Sequence, residues 1–275
     1  MMKPVFSSDV EFITPSFLCG ARQDIAELRP ASIRGQLRWW FRALGGSRED
    51  EKAVFGGVHD GTVSSAVVVR VGNVQARHEP FRVPDINTPR SYLYYFATVS
   101  GSSKGIRIGE KAYFAPGTTF HLDILERRPL PGALHAQLLE AAVCFVRLGG
   151  LGLRTTRGCG ALSEVGKLLS KDEFLAWGRT LSSKGILVSM PRGAQAQGSA
   201  NPAMEILGEF LKIFRHDNNL HGSEESALGY SIGRKRQSSA LRLRPVRVKE
   251  GFLPVLVYSD AACNQASVEK LLPIC

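Results

Sequence analysis

The 275-residue chain lacks the motifs on which most metalloproteases and nucleotide hydrolases depend. It contains no H-E-x-x-H zinc motif and no G-x-x-x-x-G-K-[ST] phosphate loop, and its six histidines are scattered. The five cysteines form no C-x-x-C pair, which argues against a structural zinc site. No apolar run reaches the roughly 20 residues that a membrane-spanning helix needs. These absences leave a chain without an evident catalytic, metal or cofactor centre.

Acidic residues are few relative to basic ones. Against 25 Asp and Glu stand 35 Lys and Arg, which give a formal net charge of +10 and a pI near 9.6. That balance favours a polyanionic partner, nucleic acid first. The odd cysteine count, with no secretory signal, predicts reduced thiols and a cytoplasmic location.

Residues 28–44 read as an amphipathic helix with a basic edge. Pro30 cannot continue a preceding helix and Ser32 can cap a new one, so the helix is expected to start there. Its buried face recurs at helical spacing and comprises Ile33, Leu37, Trp40, Phe41 and Leu44. The basic edge comprises Arg34, Arg38 and Arg42. With Gly35 and a helix N-terminus beside it, this edge suits a phosphate chain, and the alternative is an ordinary solvated face.

Residues 149–160, G-G-L-G-L-R-T-T-R-G-C-G, form a glycine-rich loop. The loop follows a predicted helix rather than joining a strand to one, so it is not a dinucleotide fingerprint. Glycines let a backbone approach a ligand closely, and Arg154 and Arg157 add charge there. We therefore favour binding of a phosphate backbone over the alternative, a helix cap followed by a turn.

A third basic cluster lies in the second half of the chain. Within G-R-K-R at positions 233–236, we expect Arg234 and Arg236 to bind RNA. In the strand that follows, alternation places Arg242 and Arg244 on one face, and a register shift at Pro245 brings Arg247 back to it. We expect these strand arginines to form the solvated face of an edge strand.

The order of predicted elements indicates an α+β protein. The first half has helices at residues 28–44 and 134–148 and strands at 5–13, 66–74, 92–99, 118–125 and 161–165. This is the split β-α-β order of a ferredoxin-like domain with insertions. The second half has helices at 171–181 and 202–214 and strands at 185–190, 240–249 and 252–258. We predict a ferredoxin-like domain over residues 1–165 and a degenerate second one over residues 166–275.

The loop of residues 14–30 carries the acid that comes nearest to a catalytic candidate. Asp24 lies there between Arg22 and Arg29. A loop aspartate can position a metal or a 2′-hydroxyl for RNA cleavage, but a loop-organising hydrogen bond is the more economical interpretation. His216 and His221 near Asp217 are likewise interpreted as a polar loop rather than a metal site.

Two segments resemble the N-terminal signature of the RAMP superfamily found in CRISPR type III effector complexes. They are I-T-P-S-F-L-C-G-A at positions 13–21 and E-L-R-P-A-S-I-R-G-Q-L-R-W-W at positions 27–40. Agreement extends to E-K-A-V-F-G at 51–56, to residues 92–119 and to the glycine-rich loop. The likeness is greatest to the subunit family numbered one of the Cmr (type III-B) complexes. Cys19 departs from the family pattern, which has a second glycine there.

The resemblance implies two ferredoxin-like RAMP (RRM-like) domains and a non-catalytic, RNA-binding role in antiviral defence. It implies a position at the end of a ribonucleoprotein complex that holds the 3′ part of the guide RNA (crRNA), where the subunit helps to capture target RNA. Its partners would be the two RNAs and other Cmr subunits, including the backbone subunit and the neighbouring head subunit, with no membrane and no cofactor. The alternative is a RAMP-type endonuclease that uses Asp24, although residues 13–46 lack the histidine of related processing enzymes.

The candidate RNA-binding residues come from the loop, the helix edge, the glycine-rich loop and the third basic cluster. They are Arg22, Arg29, Ser32, Arg34, Gly35, Arg38, Arg42, Gly150, Gly152, Arg154, Thr155, Arg157, Gly158, Gly160, Arg234 and Arg236. Because the helices of a ferredoxin-like domain share one face of the sheet, we expect the arginine edge and the glycine-rich loop to form one continuous surface.

Overall fold

The first half of the chain forms a four-stranded antiparallel sheet with helices packed on one face. The computed structural model describes residues 2–22, 24–58, 61–77, 79, 81–82, 84–85, 87–94, 112–217, 228, 230–232 and 235–259. The elements of this half are β1 (Lys3–Phe12), α1 (Pro30–Ala43), α2 (Arg48–Phe55), β2 (Val67–Gln75), α3 (Pro89–Leu93), β3 (Thr119–Glu126), α4 (Gly132–Leu148) and β4 (Leu162–Glu164). The strand order is β2-β3-β1-β4, and every neighbouring pair is antiparallel. This arrangement is ferredoxin-like, which confirms the predicted fold class.

The core of this half lies between the sheet and helices α1 and α4. Along β1, Phe6, Val10 and Phe12 are buried while Ser7 and Asp9 are exposed, as period-two alternation requires. The predicted buried face of α1 is confirmed for Ile33, Leu37, Trp40, Phe41 and Leu44. The predicted buried face of α4 is confirmed for Leu138, Ala141, Ala142, Phe145 and Leu148, with Leu134 half-buried.

Helix α1 begins two residues before the predicted cap. Pro30 is its first residue, Arg29 is the N-cap residue, and no side chain caps the helix. Proline suits the first helical position because its φ is already helical and its missing N–H would have no partner there. The prediction that Ser32 caps α1 is therefore wrong, and Ser32 lies in the first turn, half-buried.

The strand predicted at residues 92–99 is replaced, where the structure describes it, by the short helix α3. Pro89 again supplies the first helical residue, and Leu93 and Tyr94 pack with Met204 and Leu207 of the second half. The described part of this run, residues 92–94, thus packs against a helix rather than pairing as a strand. Residues 95–99, and the basic loop expected at 101–109, lie outside the described residues. The turn predicted at Pro116-Gly117 is confirmed.

The second half forms a smaller antiparallel sheet. Its elements are α5 (Lys171–Thr180), a 3-10 turn (Leu181–Lys184), β5 (Ile186–Ser189), α6 (Ala200–Asp217), β6 (Tyr230–Ile232), β7 (Lys235–Gln237), β8 (Leu241–Val248) and β9 (Gly251–Ser259). The main sheet has the order β5-β9-β8, and β6 pairs with β7 alone. Within the described residues, β5-α6-β8-β9 reproduces a ferredoxin-like unit without its last helix and strand. The prediction of a degenerate second unit is confirmed.

Two of the three arginines of β8, Arg242 and Arg244, are buried against the first half, so the prediction that they form a solvated edge face is wrong. The guanidinium carbon of Arg242 lies 3.8 Å from the centroid of the Trp39 ring, and Arg244 Nε donates to the Leu148 carbonyl at 2.8 Å. Burial lowers the pKa of Arg242 to about 10 and that of Arg244 to about 9. The edge of the sheet is covered by the first half, which sequence alternation alone does not reveal.

Pairing of β8 with β9 is continuous from Leu241 to Val248, so the predicted register shift at Pro245 is also wrong. Alternation therefore places Arg247 on the face opposite to Arg242 and Arg244, where it donates to Glu11 Oε2 at 2.7 Å.

Contacts between the two halves are apolar as well as polar. One buried cluster contains Phe145 and Leu148 of α4 together with Val246 and Val255 of the second sheet. Arg244 adds a cation at the carbonyl end of α4, where the helix dipole favours positive charge. The boundary between residues 165 and 166 stays a prediction, and the shared core means that neither half buries its apolar surface alone.

Candidate nucleic-acid interface

The arginine edge of α1 is held by one buried carboxylate from α2. Arg42 Nη1 donates to Glu51 Oε2 at 2.7 Å, Arg38 Nε donates to Glu51 Oε1, and Arg34 Nη2 donates to the Phe55 carbonyl. The Glu51 side chain is 7% exposed, whereas Arg38 and Arg42 are 39% and 47% exposed. Two guanidinium groups thus meet one carboxylate and the third meets a backbone carbonyl, and the cluster keeps an excess of positive charge at the surface.

The electrostatics of this cluster follow from burial and pairing. Burial raises the pKa of Glu51, but the hydrogen bonds from Arg42 and Arg38 outweigh it, and the net pKa is below the ordinary value. Burial, and then the nearby Arg38 charge, lowers the pKa of Arg34. Glu51 therefore stays ionised and orients Arg38 and Arg42 while leaving most of their N–H donors available.

The glycine-rich loop lies on the flank of α1 opposite to Arg38. The arginine edge and the loop therefore do not form the continuous surface that was predicted. Successive residues of a helix are rotated by about 100°, which puts Gln36 roughly 160° from Arg38 around the axis. Ser32 and Gln36 face the glycine-rich loop, whereas Arg38 faces α2. Gly35 lies on the outer surface between the two flanks, with open space where a Cβ would stand.

A groove of about 400 Å³ separates α1 from the glycine-rich loop. Its lining comes from the segment after β1, from α1 and from the loop, and consists of Phe17, Leu18, Cys19, Gly20, Ser32, Gln36, Leu151, Gly152 and Leu153. Gln36 Oε1 is buried and accepts no hydrogen bond within the part of the chain that the structure describes. Of the predicted RNA-binding residues, Ser32 and Gly152 line this groove.

Most glycines of the loop are explained by contacts with the protein itself. Gly150, Gly158 and Gly160 are buried, and a Cβ on Gly160 would lie 1.9 Å from the Leu151 carbonyl oxygen. Thr14 Oγ1 donates to the Gly158 carbonyl at 2.6 Å. Close packing against the protein's own backbone, rather than a helix cap and turn, thus accounts for these glycines, and their contact with RNA stays a prediction.

The exposed part of the glycine-rich loop is its tip. Arg154 is exposed and adopts φ +57, a left-handed conformation that is uncommon outside glycine, and Thr155 is half-buried. Arg157 is only 6% exposed and donates to Ser239 Oγ at 3.1 Å and to the Leu228 carbonyl at 2.9 Å. The prediction that Arg157 lies on a shared surface with Arg34 and Arg38 is wrong, because this guanidinium ties the loop to the second half.

The remaining candidates lie on loops. Arg29 is exposed at the start of α1. Arg22 Nη2 donates to Asp24 Oδ2 at 2.6 Å, and this hydrogen bond lowers the pKa of Asp24. The pair is exposed, and its hydrogen bond within the loop agrees with the interpretation of Asp24 as a loop-organising acid. Arg234 lies outside the described residues, and of Arg236 the structure describes only the backbone, which pairs with Ser231.

A polar cluster on the open face of the first sheet was missed by sequence reasoning. His121 Nδ1 lies 2.7 Å from Asp9 Oδ1, and His121 Nε2 lies 3.2 Å from Ser7 Oγ and 3.3 Å from Asp123 Oδ1. The sequence signal that could have located this cluster is the alternation of polar residues along β1 and β3. Hydrogen bonding to Asp9 raises the pKa of His121, and carboxylates at both ring nitrogens favour the imidazolium form, which cannot act as a base toward Ser7.

The same cluster makes the open sheet face unlike an RRM surface. RRM domains stack bases on aromatic side chains of their sheet, whereas these strands present Ser7, Asp9, His121 and Asp123. Across the described ranges, no three His, Cys, Asp or Glu residues are arranged to hold a metal ion. No helix among the described residues is long and apolar enough to cross a membrane.

Comparisons with known proteins identify relatives of the chain. Residues 9–163 match the family model of the RAMP superfamily. CRISPR system Cmr subunit Cmr1-2 of Pyrococcus furiosus is 30% identical over 178 residues, which cover 56% of this chain and 91% of that protein. Subunit Cmr1-1 of the same organism is 24% identical over 223 residues, covering 77% of this chain, and the match spans 60% of that relative's length.

Two solved structures share the fold. The apo crystal structure of Cmr1 from Pyrococcus furiosus aligns with a TM-score of 0.60 at 18% identity, covering 92% of this chain and 87% of that one. A chain of the type III-B Cmr-beta complex bound to cognate target RNA, solved by cryo-EM, aligns with a TM-score of 0.54 at 14% identity and covers 98% of both.

Proposed function

Because the chain belongs to the RAMP superfamily and is homologous to Cmr1, we propose that it is a non-catalytic, RNA-binding subunit of a type III-B CRISPR effector complex. The family resemblance read from the sequence is confirmed. The proposed role is to cap the end of the complex that holds the 3′ part of the guide RNA and to help capture target RNA. Its partners are these RNAs and neighbouring Cmr subunits.

The RNA-binding part of this proposal rests on the arginine cluster of α1, which consists of Arg34, Arg38 and Arg42. Arg38 and Arg42 are about half exposed, and Glu51 fixes their orientation before any ligand arrives. Preorganised guanidinium groups bind phosphate at a smaller entropic cost than freely rotating ones. Gly35 leaves the outer surface of α1 open beside them, so a phosphate backbone can approach closely.

Binding of this kind is independent of RNA sequence. Arginines on phosphates read backbone position and carry no base information. A guide complex has to accept many guides, and base pairing supplies its sequence specificity, as in DNA-targeting guide systems. We therefore expect affinities for guides of unrelated sequence to agree within a few-fold, and a strong preference for one guide sequence contradicts this part of the proposal.

The test is a salt titration of RNA binding by fluorescence anisotropy. The Arg38→Ala/Arg42→Ala double variant should bind a single-stranded RNA more weakly, and its salt slope should fall by about 1.4, at about 0.7 per lost phosphate contact. Arg192→Ala, which removes an exposed arginine of the second half, is the matched control and should match wild type. Unchanged affinity and slope in the double variant would mean that RNA binds elsewhere.

The alternative function, an endonuclease that uses Asp24, gains no support from the geometry. Asp24 is paired with Arg22 on an exposed loop, and its lowered pKa makes it a weak proton acceptor. General acid–base cleavage of RNA needs a base and an acid that each reach the reacting groups of the substrate. The described contacts of Asp24 are with Arg22 alone, so we retain the non-catalytic role as the proposal.

A further inference from the structure

A second cavity, of about 520 Å³, lies where the irregular segment after β2 meets the start of α6. Residues from the first half line it, and Asn201 of α6 completes the wall. The volume falls within the range of about 300–1,000 Å³ that is typical of small-ligand sites. No residue of this cavity belongs to the arginine cluster or to the groove beside the glycine-rich loop.

The cavity is built around aromatic rings. Phe81 lies 5.6 Å from Tyr113 and 5.7 Å from Tyr94, centroid to centroid, and Phe17 packs behind it at 4.9 Å. Tyr94 is buried, whereas Phe81 and Tyr113 are half-buried and present part of each ring to the cavity. The Tyr113 hydroxyl donates to the Glu79 carbonyl, which fixes that ring. Phe81 and Tyr113 are inclined at 71° to each other, so a base that stacks on one of these rings lies against the edge of the other.

The charges of the cavity suit a phosphate beside a base. Arg82 and Arg90 both line it, and Arg90 Nε is buried without a hydrogen-bond partner among the residues the structure describes. Buried donors are normally satisfied, so this N–H is available to an acceptor such as a ligand oxygen. Glu79 is the one acid among the described lining residues, and since its carboxylate only accepts hydrogen bonds, it suits the N–H groups of a base edge rather than a phosphate.

Helix α6 adds a further favourable field. Asn201 is the second residue of this 18-residue helix, so the positive end of the helix dipole lies at the cavity wall. The aromatic rings, the two arginines and this helix end together offer stacking for a base and a positive environment for its phosphate.

We propose that this cavity holds one unstacked purine nucleotide, with its base on Phe81 and Tyr113 and its phosphate on Arg82 and Arg90. A purine offers the larger ring face, and guanine presents two adjacent N–H donors that match the acceptors of Glu79. The nucleotide is part of an RNA strand if the proposed function holds, on which that form of the inference rests. A free nucleotide offers the same chemistry, and the experiment separates the two sources.

The experiment is photocrosslinking of the full chain with 6-thioguanosine in two forms. One probe is the free monophosphate, and the other is a short RNA with a single 6-thioguanosine. After irradiation, mass spectrometry locates the crosslinked peptide, while anisotropy measures RNA binding separately. Tyr113→Leu removes a stacking ring and Arg90→Gln removes a cation. Phe252→Leu removes a half-buried ring from β9 and is the matched control. Circular dichroism confirms that each variant folds.

The proposal expects crosslinks within residues 79–94 or 112–116. Their yield should fall about tenfold in Tyr113→Leu, in line with the loss of one stacked ring, and should fall in Arg90→Gln but not in Phe252→Leu. If RNA binds but crosslinks elsewhere, and the free probe does not crosslink in the cavity, the proposed nucleotide site is wrong while RNA binding still stands. If the free probe crosslinks in the cavity while RNA fails to bind, the nucleotide site is supported and the proposed function is wrong.

Discussion

Replacing Glu51 with glutamine separates the two ways in which the arginine cluster could bind RNA. The substitution keeps the shape of the side chain, removes its charge, and puts an amide N–H₂ where Arg38 or Arg42 now finds an acceptor. If only net charge matters, the variant should bind RNA more tightly. If orientation of the arginines matters, as we propose, it should bind more weakly.

The magnitudes decide which effect is larger. One charge removed at about 9 Å from a phosphate in water changes the binding free energy by about 0.5 kcal/mol. Releasing two arginine side chains costs about 0.5–1.5 kcal/mol each when RNA orders them again. We therefore expect Glu51→Gln to weaken binding by about 0.5–2.5 kcal/mol, or about 2-fold to 70-fold in Kd. Tighter binding, measured by anisotropy at low salt, would refute the reasoning.

The same variant has a stability signature. The loss of charge-assisted hydrogen bonds to a buried carboxylate, reduced because Arg38 and Arg42 are partly exposed, should lower the free energy of unfolding by about 1–2 kcal/mol. Since the pKa of Glu51 is lowered in the folded protein, its contribution is present above the ordinary value of 4.5 and is lost as the pH falls below it. Urea unfolding should therefore show a gap between wild type and Glu51→Gln at pH 7 that narrows toward pH 4.

Three other predictions test the packing described above. Arg157→Leu leaves buried carbonyls unsatisfied, so urea unfolding should show a loss of about 1–3 kcal/mol, with RNA affinity unchanged where the variant is folded. Gly160→Ala should lower the melting temperature sharply, because its φ of +61 and the neighbouring carbonyl exclude a Cβ, whereas Gly35→Ala should stabilise the exposed helix by about 0.5–1 kcal/mol. Burial raises the pKa of both Cys144 and Cys159 to about 12, so peptide mapping after iodoacetamide treatment at pH 8 should find both thiols unmodified unless the protein is denatured.

The elements whose formation depends on local pattern were predictable from the sequence. The apolar spacing of α1 and α4 located both helices and their buried faces, and the apolar residues on either side of a polar break at residues 7–9 located the first strand. The arginines at four-residue spacing do share one edge of α1. What the spacing could not show is that α2 supplies Glu51 to that edge, because the contact depends on how two helices pack.

The errors concern tertiary contacts that override local preference. Arg242 and Arg244 alternate like solvated residues of an edge strand, but the first half of the chain covers that edge and buries them. The sequence predicted that the glycines around Gly160 contact a ligand, because glycine lets another group come close to the backbone. In the structure, the group that comes close is the protein's own backbone. The cluster at His121 joins residues more than 100 positions apart, which a single sequence does not reveal.

Target-RNA cleavage by the assembled complex at saturating RNA tests the central claim, a subunit that captures RNA without cutting it, most directly. Complexes that contain wild type, Asp24→Ala or the Arg38→Ala/Arg42→Ala variant should be compared for both the cleavage rate per bound RNA and the RNA concentration at half-maximal rate. We expect Asp24→Ala to leave both quantities unchanged, and the double variant to raise the half-maximal concentration at an unchanged maximal rate. A large loss of maximal rate in Asp24→Ala, with assembly intact, would contradict the account and make this subunit a nuclease.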